Sequence, residues 1–324
     1  MRVFINGFGR IGRSVLRAWA SDGAAWPGLE VVGINDIAAP EMCAHLFEFD
    51  SVFGPWRGSV QLEGGSLVVN GKAIPLFRTP DLSVLDLAGV DVVMECTGRA
   101  DHPEVAARGL RAGARRVLIS GPSGAAEVTV VLGANDEALA DQKIVSNASC
   151  TTNALAPLAR LIEREWGVVT GSMTTIHCYT GSQPTVDAPA ADYARSRAAA
   201  LSMVPTTTSA SRLLDLVLPQ MAGRIEGSAV RVPVASVSCV DLSVMTARPV
   251  TVAAVNAAFH AAGGVIGVTD RPLVSTDLRA RPESIVMATP ETRVTAGGLL
   301  RVFGWYDNEW GFSNRMLDVA LRMG

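Results

Sequence analysis

Two textures of apolar and polar positions divide the chain. Through the first half, short apolar runs alternate with stretches of helical spacing, the pattern of strands buried on both faces and joined by helices. Residues 2–6 open as such a strand. Val15, Leu16 and Trp19 then share one helix face, and residues 29–34 form a second strand that ends in Asn35-Asp36. Residues 59–78 break the rhythm. There Gly64-Gly65 and Asn70-Gly71 are hairpin turns between short alternating segments, which predicts a small antiparallel insertion. The parallel pattern resumes with strands at 90–95, 116–119, 128–132 and 144–145 and a helix at 103–112. From Val168 the strands lengthen, at 168–179, 227–235, 237–247 and 299–305. Helices thin out to 209–218, 252–262 and an amphipathic one over 308–323, with Met316, Val319, Ala320 and Met323 on its apolar face. Runs of strands with few helices between them predict a mixed or antiparallel sheet. Residues 180–203 show no periodicity and read as a long ordered loop, a length usually tied to function.

Between the first strand and the first helix stands Gly7-Phe8-Gly9-Arg10-Ile11-Gly12. Strand, glycine turn, helix, strand and acid follow in the order that a dinucleotide site requires. Gly7 permits the tight turn, Gly9 lets a pyrophosphate approach the backbone, and Gly12 lets the helix pack close to the sheet. Asp36 is placed to accept from the adenosine ribose hydroxyls, and its charge favours NAD over NADP. Thr97, Gly98 and Ser120 follow strand carboxyl ends, where open α/β sheets bind ligands, although each also suits a plain turn. The expected architecture is therefore α/β. A Rossmann dinucleotide-binding domain spans 1–149 and an α+β domain with a mixed or antiparallel sheet spans 150–308, with the helix at 309–324 packing back on the first domain.

The second chemical feature is Ser146-Asn147-Ala148-Ser149-Cys150-Thr151-Thr152-Asn153. An apolar pair precedes it, and Leu155, Leu158, Leu161, Ile162 and Trp166 recur at helical spacing after it. Cys150 thus sits at or just before a helix start, where unpaired N–H groups and a partial positive charge favour thiolate. A buried cysteine packing as a small hydrophobe is the competing reading, but its neighbours here are polar. Pro157 predicts a kink or a late helix start. A cysteine nucleophile needs a base, and of the four histidines His177, late in a strand, is the best placed; a satisfied core imidazole is the alternative. His45 and His102 fall in surface or helix-edge segments, and His260 lies on a helical pattern and reads as structural.

Composition narrows the rest. At 324 residues with 48% hydrophobic and 18% charged, the chain is long enough for two well-buried domains. A net charge of −3 gives no electrostatic case for nucleic acid or an anionic membrane. No apolar run reaches membrane-spanning length, and no leader opens the chain. The five cysteines are odd in number and scattered, without metal-ligand spacing or a disulfide framework. A reducing cytoplasm is the expected setting.

Taken together, INGFGRIGR, SNASCTTN at Cys150, TTIHCYT at His177, RVPVASVSCVDL from Arg231 and WYDNEWGFSNRM resemble phosphorylating, NAD-dependent glyceraldehyde-3-phosphate dehydrogenases along essentially the whole chain. The resemblance implies a homotetramer, with the loop at 180–203 near the cofactor and a subunit interface. Cys150 matches the nucleophile and His177 its base. Arg10 and Ile11 match residues whose backbone meets the pyrophosphate, Asp36 the ribose ligand, Arg78 and Ser120 further cofactor contacts, and Asn308 the residue that orients the nicotinamide amide. Ser149, Thr151, Thr180, Arg195, Thr208 and Arg231 match two anion pockets, one for a sugar phosphate's own phosphate and one for inorganic phosphate. Three positions depart from the family pattern: Ser182 where Asp is usual, Ser209 where Gly follows Thr208, and Ala154 in place of a second Cys. The implied reaction is oxidation of D-glyceraldehyde 3-phosphate through a cysteine thioester. Alternatives are D-erythrose 4-phosphate as substrate, a specialised (arsenate-linked) paralogue, and a catalytically quiet NAD-binding interaction protein.

Overall fold

Arg2–Asn6 (β1) is the hub of a nine-stranded sheet because both of its edges are paired in parallel. The computed structural model describes residues 1–190 and 192–324; residue 191, inside the loop expected over 180–203, lies outside the described residues. The chain divides into two units, one of Met1–Val130, Asn135–Ser149 and Phe312–Gly324, the other of Val131–Ala134 and Cys150–Gly311.

In the first unit, helix Arg10–Ser21 (α1) leads from β1 to Glu30–Asn35 (β2). After Pro40–Glu48 (α2) come Val60–Glu63 (β3), Ser66–Val69 (β4) and Lys72–Phe77 (β5). Val92–Glu95 (β6), Arg116–Ile119 (β7), Val128–Thr129 (β8) and Ile144–Ser146 (β9) complete the order β3-β4-β5-β2-β1-β6-β7-β9-β8. Strand order reverses between β2-β1 and β6, and ligands bind open α/β sheets at such a switch point, outside the strand carboxyl ends. The hairpins at 59–78 are antiparallel as expected, but not a separate insertion: β5 pairs in parallel with β2 through Ile34↔Leu76 and Asn35↔Phe77. The helix expected over 103–112 is two short ones, Pro103–Ala106 (α3) and Arg108–Arg111 (α4), and the strand expected over 128–132 is confined to β8.

Gly12 fixes how α1 meets β1. A Cβ there would lie 2.1 Å from the Gly7 carbonyl oxygen and 3.2 Å from the Ile5 side chain. Gly12→Ala should therefore cost on the order of 1–3 kcal/mol of stability through overpacking against backbone. Urea unfolding checks this; an unchanged midpoint would show that the helix shifts freely.

The second unit begins with Cys150–Trp166 (α5). Pro157 neither delays nor breaks this helix, contrary to the sequence expectation. The helix is buried along Thr151–Ala159, and tertiary packing of that face overrides the local penalty. Val168–Cys178 (β10), Val204–Thr206 (β11), Ala210–Val217 (α6), Ile225–Val232 (β12) and Ser238–Thr246 (β13) follow. Then come Val252–Ala262 (α7), Ile266–Thr269 (β14), Ile285–Ala288 (β15), Arg293–Val294 (β16) and Leu299–Tyr306 (β17). They make an eight-stranded mixed sheet in the order β11-β12-β10-β13-β17-β15-β14, with β16 on β17. The last helix, Trp310–Arg322 (α8), is opened by Asp307, whose carboxylate accepts from the N–H groups of Glu309 and Trp310. Its later part is held in the first unit by Trp26 to Asp318 at 2.6 Å and Arg322 to Asp136 at 2.6 Å.

Candidate active site

At the switch point of the first unit a cavity of about 300 Å³ is lined by Asn6, Gly7, Gly9, Asp36 and Thr97, among others. Gly7 has φ +93°, and a Cβ would sit 2.7 Å from Cys96 and Thr97 backbone atoms, so only glycine closes this turn. Gly9 differs: nothing lies within 4 Å of where its Cβ would be, so the backbone faces open space at the start of α1. An anionic group suits that place, because N–H groups at a helix start are unpaired. Asp36 accepts from Phe8 N at 2.6 Å and Ala38 N at 2.9 Å, so the carboxylate also ties down the glycine turn. Beneath the cavity Asn6 donates to Glu95 at 2.5 Å, and Thr97 bonds the same carboxylate. Burial nevertheless pushes the Glu95 carboxyl up. The open glycine turn, the acid and the helix start fit a dinucleotide.

Other residues expected near a cofactor are placed less directly. Arg10 is ion-paired with Asp50, so its side chain leaves the turn, and Ile11 follows it in α1. Arg78 is exposed and donates to the Ile37 carbonyl, and Ser120 follows β7. None of these four lines the cavity. Asn308 belongs to the second unit, where its Oδ1 accepts from Cys178 Sγ at 3.2 Å and Ser238 Oγ at 3.4 Å.

In the second unit Cys150 is the first residue of α5, and its Sγ lies 3.5 Å from His177 Nε2. The sheet makes this meeting possible, because β10 delivers His177 at its carboxyl end, in register with Arg231 on β12. His177 Nδ1 is 2.7 Å from the Cys178 carbonyl oxygen and 2.8 Å from Arg231 Nη1. Tyr306 closes the base of the site. Its hydroxyl lies 2.8 Å from both Thr151 Oγ1 and Thr175 Oγ1, and its ring stands edge-on to His177.

The electrostatics correct one expectation. At Cys150 burial opposes the thiolate that a helix start favours. Burial pushes the thiol above its ordinary value, outweighing Arg231 and the Thr151 contacts that act the other way. A charge taken out of water costs more than partial dipoles return. His177 is pushed down to about 4, by burial first and then by the Arg231 charge. Burial thus works against charge on both members of the pair.

The His177 shift has a sign for stability. Between about 6.5 and about 4 the unfolded chain takes up a proton that the folded site refuses. Stability is present in full above 6.5 and is lost as pH falls toward 4, by roughly 2 kcal/mol at pH 5. Urea unfolding at pH 7 and pH 5 should show a larger loss for the wild type than for His177→Asn. Equal losses would mean that the imidazole titrates normally.

The remaining candidates, apart from Ser149 at the end of a first-unit segment, form two groups within the second unit. Arg231 is half-buried, and Thr180 Oγ1 bonds Ser182 Oγ at 2.9 Å. Arg195 is exposed; its Nε donates to Thr206 Oγ1 at 2.6 Å and its Nη2 lies 3.4 Å from Thr207. Thr208 accepts from Ala210 N, and Ser209 precedes α6. Among the described residues no carboxylate pairs with Arg195 or Arg231. Ser149 is half-buried, while the Thr151 hydroxyl is already turned to Tyr306. No cluster of metal-ligating side chains occurs among the described residues.

Sequence reasoning missed Tyr306, Cys178 and Ser238, although all three fall inside the quoted motifs. It also missed the backbone of Ala148, which has φ +54° two residues before the nucleophile candidate. An alanine there is strained, as residues at functional turns often are.

Comparison with known proteins matches both halves of the chain to one family. Residues 1–103 match the family model described as glyceraldehyde 3-phosphate dehydrogenase, NAD binding domain, and residues 149–308 match the C-terminal domain of the same description. A glyceraldehyde-3-phosphate dehydrogenase of Cereibacter sphaeroides is 48% identical over 330 residues, covering 100% of this chain and 98% of its own. One of Xanthobacter flavus is 46% identical over 332 residues at the same coverage. One of Geobacillus stearothermophilus is 43% identical over 330 residues, with 99% and 97% covered.

Proposed function

The chain belongs to the glyceraldehyde-3-phosphate dehydrogenase family, and on that premise we propose that it oxidises D-glyceraldehyde 3-phosphate to an acyl phosphate through a thioester on Cys150. The observation that carries the reading is the approach of His177 Nε2 to Cys150 Sγ at 3.5 Å, with Arg231 beside them and, among the described residues, no carboxylate paired with it. Cys150 Sγ adds to the aldehyde carbon, forming the C–S bond of a thiohemiacetal. His177 takes the thiol proton and passes it to the aldehyde oxygen to give the thiohemiacetal hydroxyl, and then takes that hydroxyl proton as the carbon is oxidised. Bound NAD supplies the hydride acceptor. The N–H of Cys150, unpaired within the helix, is directed to the developing oxyanion. Inorganic phosphate then attacks the thioester carbon, and Cys150 leaves as thiolate to be reprotonated.

Two arginines suit the two phosphates, since an arginine–phosphate contact is charge-assisted and often bidentate. In this reading Arg231, with Thr180, holds the phosphate of the substrate. Arg195 and Thr208, with Ser209 at the start of α6, hold the attacking phosphate. Gly7, Gly9, Arg10, Ile11, Gly12, Asp36 and Thr97 form the cofactor's cradle, and Arg78 and Ser120 contribute at its edges. The exposed Val186, Tyr193, Leu201 and Met203 of the loop at 180–203 support burial of this segment in a homotetramer. Five free thiols support work in a reducing cytoplasm.

The deciding experiment compares kcat/KM for D-glyceraldehyde 3-phosphate and D-erythrose 4-phosphate, each with and without inorganic phosphate. The reading requires preference for the three-carbon substrate and turnover that depends on phosphate. Phosphate-independent turnover, with erythrose 4-phosphate preferred, would mean that water hydrolyses the thioester, and would replace it.

A further inference from the structure

Beneath the cofactor cavity a row of buried polar side chains crosses the carboxyl ends of three adjacent strands. Glu95 ends β6, Asn6 ends β1 and Asn35 ends β2, and none is more than 4% exposed. Asn6 Nδ2 donates to Glu95 Oε2 at 2.5 Å, Asn35 Nδ2 to Asn6 Oδ1 at 2.8 Å, and the Thr79 N–H to Asn35 Oδ1 at 2.9 Å. At the other end Glu95 Oε1 accepts from the Thr97 N–H at 3.0 Å and from the Thr97 hydroxyl. Asn6, Asn35, Thr79 and Thr97 line the cavity, and Glu95 does not.

The direction of each bond in this row is fixed from its two ends. Thr79 and Thr97 meet it with backbone N–H groups, which can only donate. Asn35 must therefore turn its oxygen to the Thr79 N–H. Its amide nitrogen then faces Asn6 and the Thr79 carbonyl, the latter at 3.0 Å. That in turn directs the Asn6 oxygen to Asn35 and the Asn6 nitrogen to Glu95. The side chain at 95 meets donors on both of its oxygens, which a carboxylate satisfies and an amide does not. Burial favours the neutral acid here, and the Thr97 and Asn6 donors oppose it. A glutamine would set its own N–H groups against a donor at Asn6 or at Thr97. Turning Asn6 and Asn35 over would only carry the clash to Thr79. One N–H of Asn6 Nδ2 is used on Glu95, and the second meets no acceptor among the described residues.

We propose that Glu95 is a positioning residue for NAD: by accepting on both oxygens it locks Asn6 with its second amide N–H available to an oxygen of the bound dinucleotide. The same lock holds Thr79 and Thr97 at the two ends of the row, on the cavity wall. This rests on the cavity's being the NAD site. Glu95 does not reach the cavity, so it acts through its neighbours.

The test uses the full chain, with NAD binding followed by calorimetry and stability by urea unfolding. Glu95→Gln should weaken NAD on the order of tenfold, the scale of one buried hydrogen bond left unmade, and lower the urea midpoint. Asn6→Asp sets one carboxylate against another and should also lower both. The combined variant exchanges carboxylate and amide between the two positions, so the row again runs in one direction from Thr79 to Thr97. Its urea midpoint should recover most of the way to wild type. Its NAD affinity should stay down by about tenfold, because the N–H that Asn6 offers the cofactor is gone. A combined variant no more stable than the singles overturns the fixed direction, whether or not the singles fold. Unchanged NAD affinity in Glu95→Gln, or full recovery of affinity in the combined variant, overturns the role toward NAD. Gly9→Val tests the site separately. Nothing lies within 4 Å of a Cβ at Gly9, so the new side chain should fold without a clash and block NAD. If NAD still binds that variant, the placing of NAD in this cavity has failed, a result distinct from any of those at Glu95.

Discussion

A Cys150→Ser protein should bind NAD as the wild type does and oxidise its aldehyde on the order of 10⁶-fold more slowly, the scale seen when a covalent nucleophile is removed. The size of the loss follows from the pair of ionisations. The His177 imidazole, pushed down to about 4, is a weak base. It can assist a thiol but not an alcohol many units less acidic. The cavity lined by Gly7, Gly9 and Asp36 belongs to the other unit and is not lined by residue 150, so cofactor binding followed by calorimetry should survive. Iodoacetamide supplies the complementary measurement. Cys43, Cys178 and Cys239 are buried, and Cys96 lies in a network with Ser120; burial pushes these four to about 11 or 12. Cys150 is only partly covered and has Arg231 at hand, so it should be alkylated first. Activity that persists in the serine variant, or that survives alkylation of Cys150, would return this residue to a packing role.

His177→Asn should slow formation of the thioester by ~10²–10⁴, the usual worth of a general base. The loss should fall on kcat and kcat/KM together, because the base acts as the proton moves rather than when substrate binds. Asparagine can still bond the Cys178 carbonyl but cannot carry a proton away from sulfur, so it separates proton transfer from packing. Single-turnover measurement of NADH formation isolates this step from phosphate attack and product release. The depressed pKa adds a pH criterion. In the wild type, protonation of the base should not limit the step until pH approaches 4. A loss smaller than about tenfold in single turnover would leave His177 as a satisfied core imidazole.

Much of the first unit was legible in the sequence because its constraints are local. Gly7, Gly9 and Gly12 stand at fixed offsets after an apolar strand, and the geometry of a strand–turn–helix junction allows few other uses of that spacing. Asp36 was legible as a cofactor-facing acid, but its bonds to Phe8 N and Ala38 N were not, since they depend on how β1 and β2 are registered. Boundaries failed where tertiary contacts outweighed propensity. Helix α5 runs through Pro157, the expected helix at 103–112 divides in two, and the hairpins at 59–78 join the main sheet through β5. Strands β14 and β15, absent from the sequence reading, are short and gain their stability from pairing with each other and with β17.

By itself the sequence determined the element types, the glycine turn and the presence of one cysteine at a helix start, because these follow from periodicity and neighbouring residues. Only the tertiary structure decided the chemistry of that cysteine. His177 and Arg231 lie 54 residues apart and become neighbours through parallel pairing of β10 with β12. Tyr306 reaches Thr151 across 155 residues. Protonation followed the same rule. A helix start argues for thiolate, but burial argues against any charge, and which prevails depends on how much water the fold removes from Sγ. That quantity belongs to the packing of distant segments and has no counterpart in the residues beside Cys150.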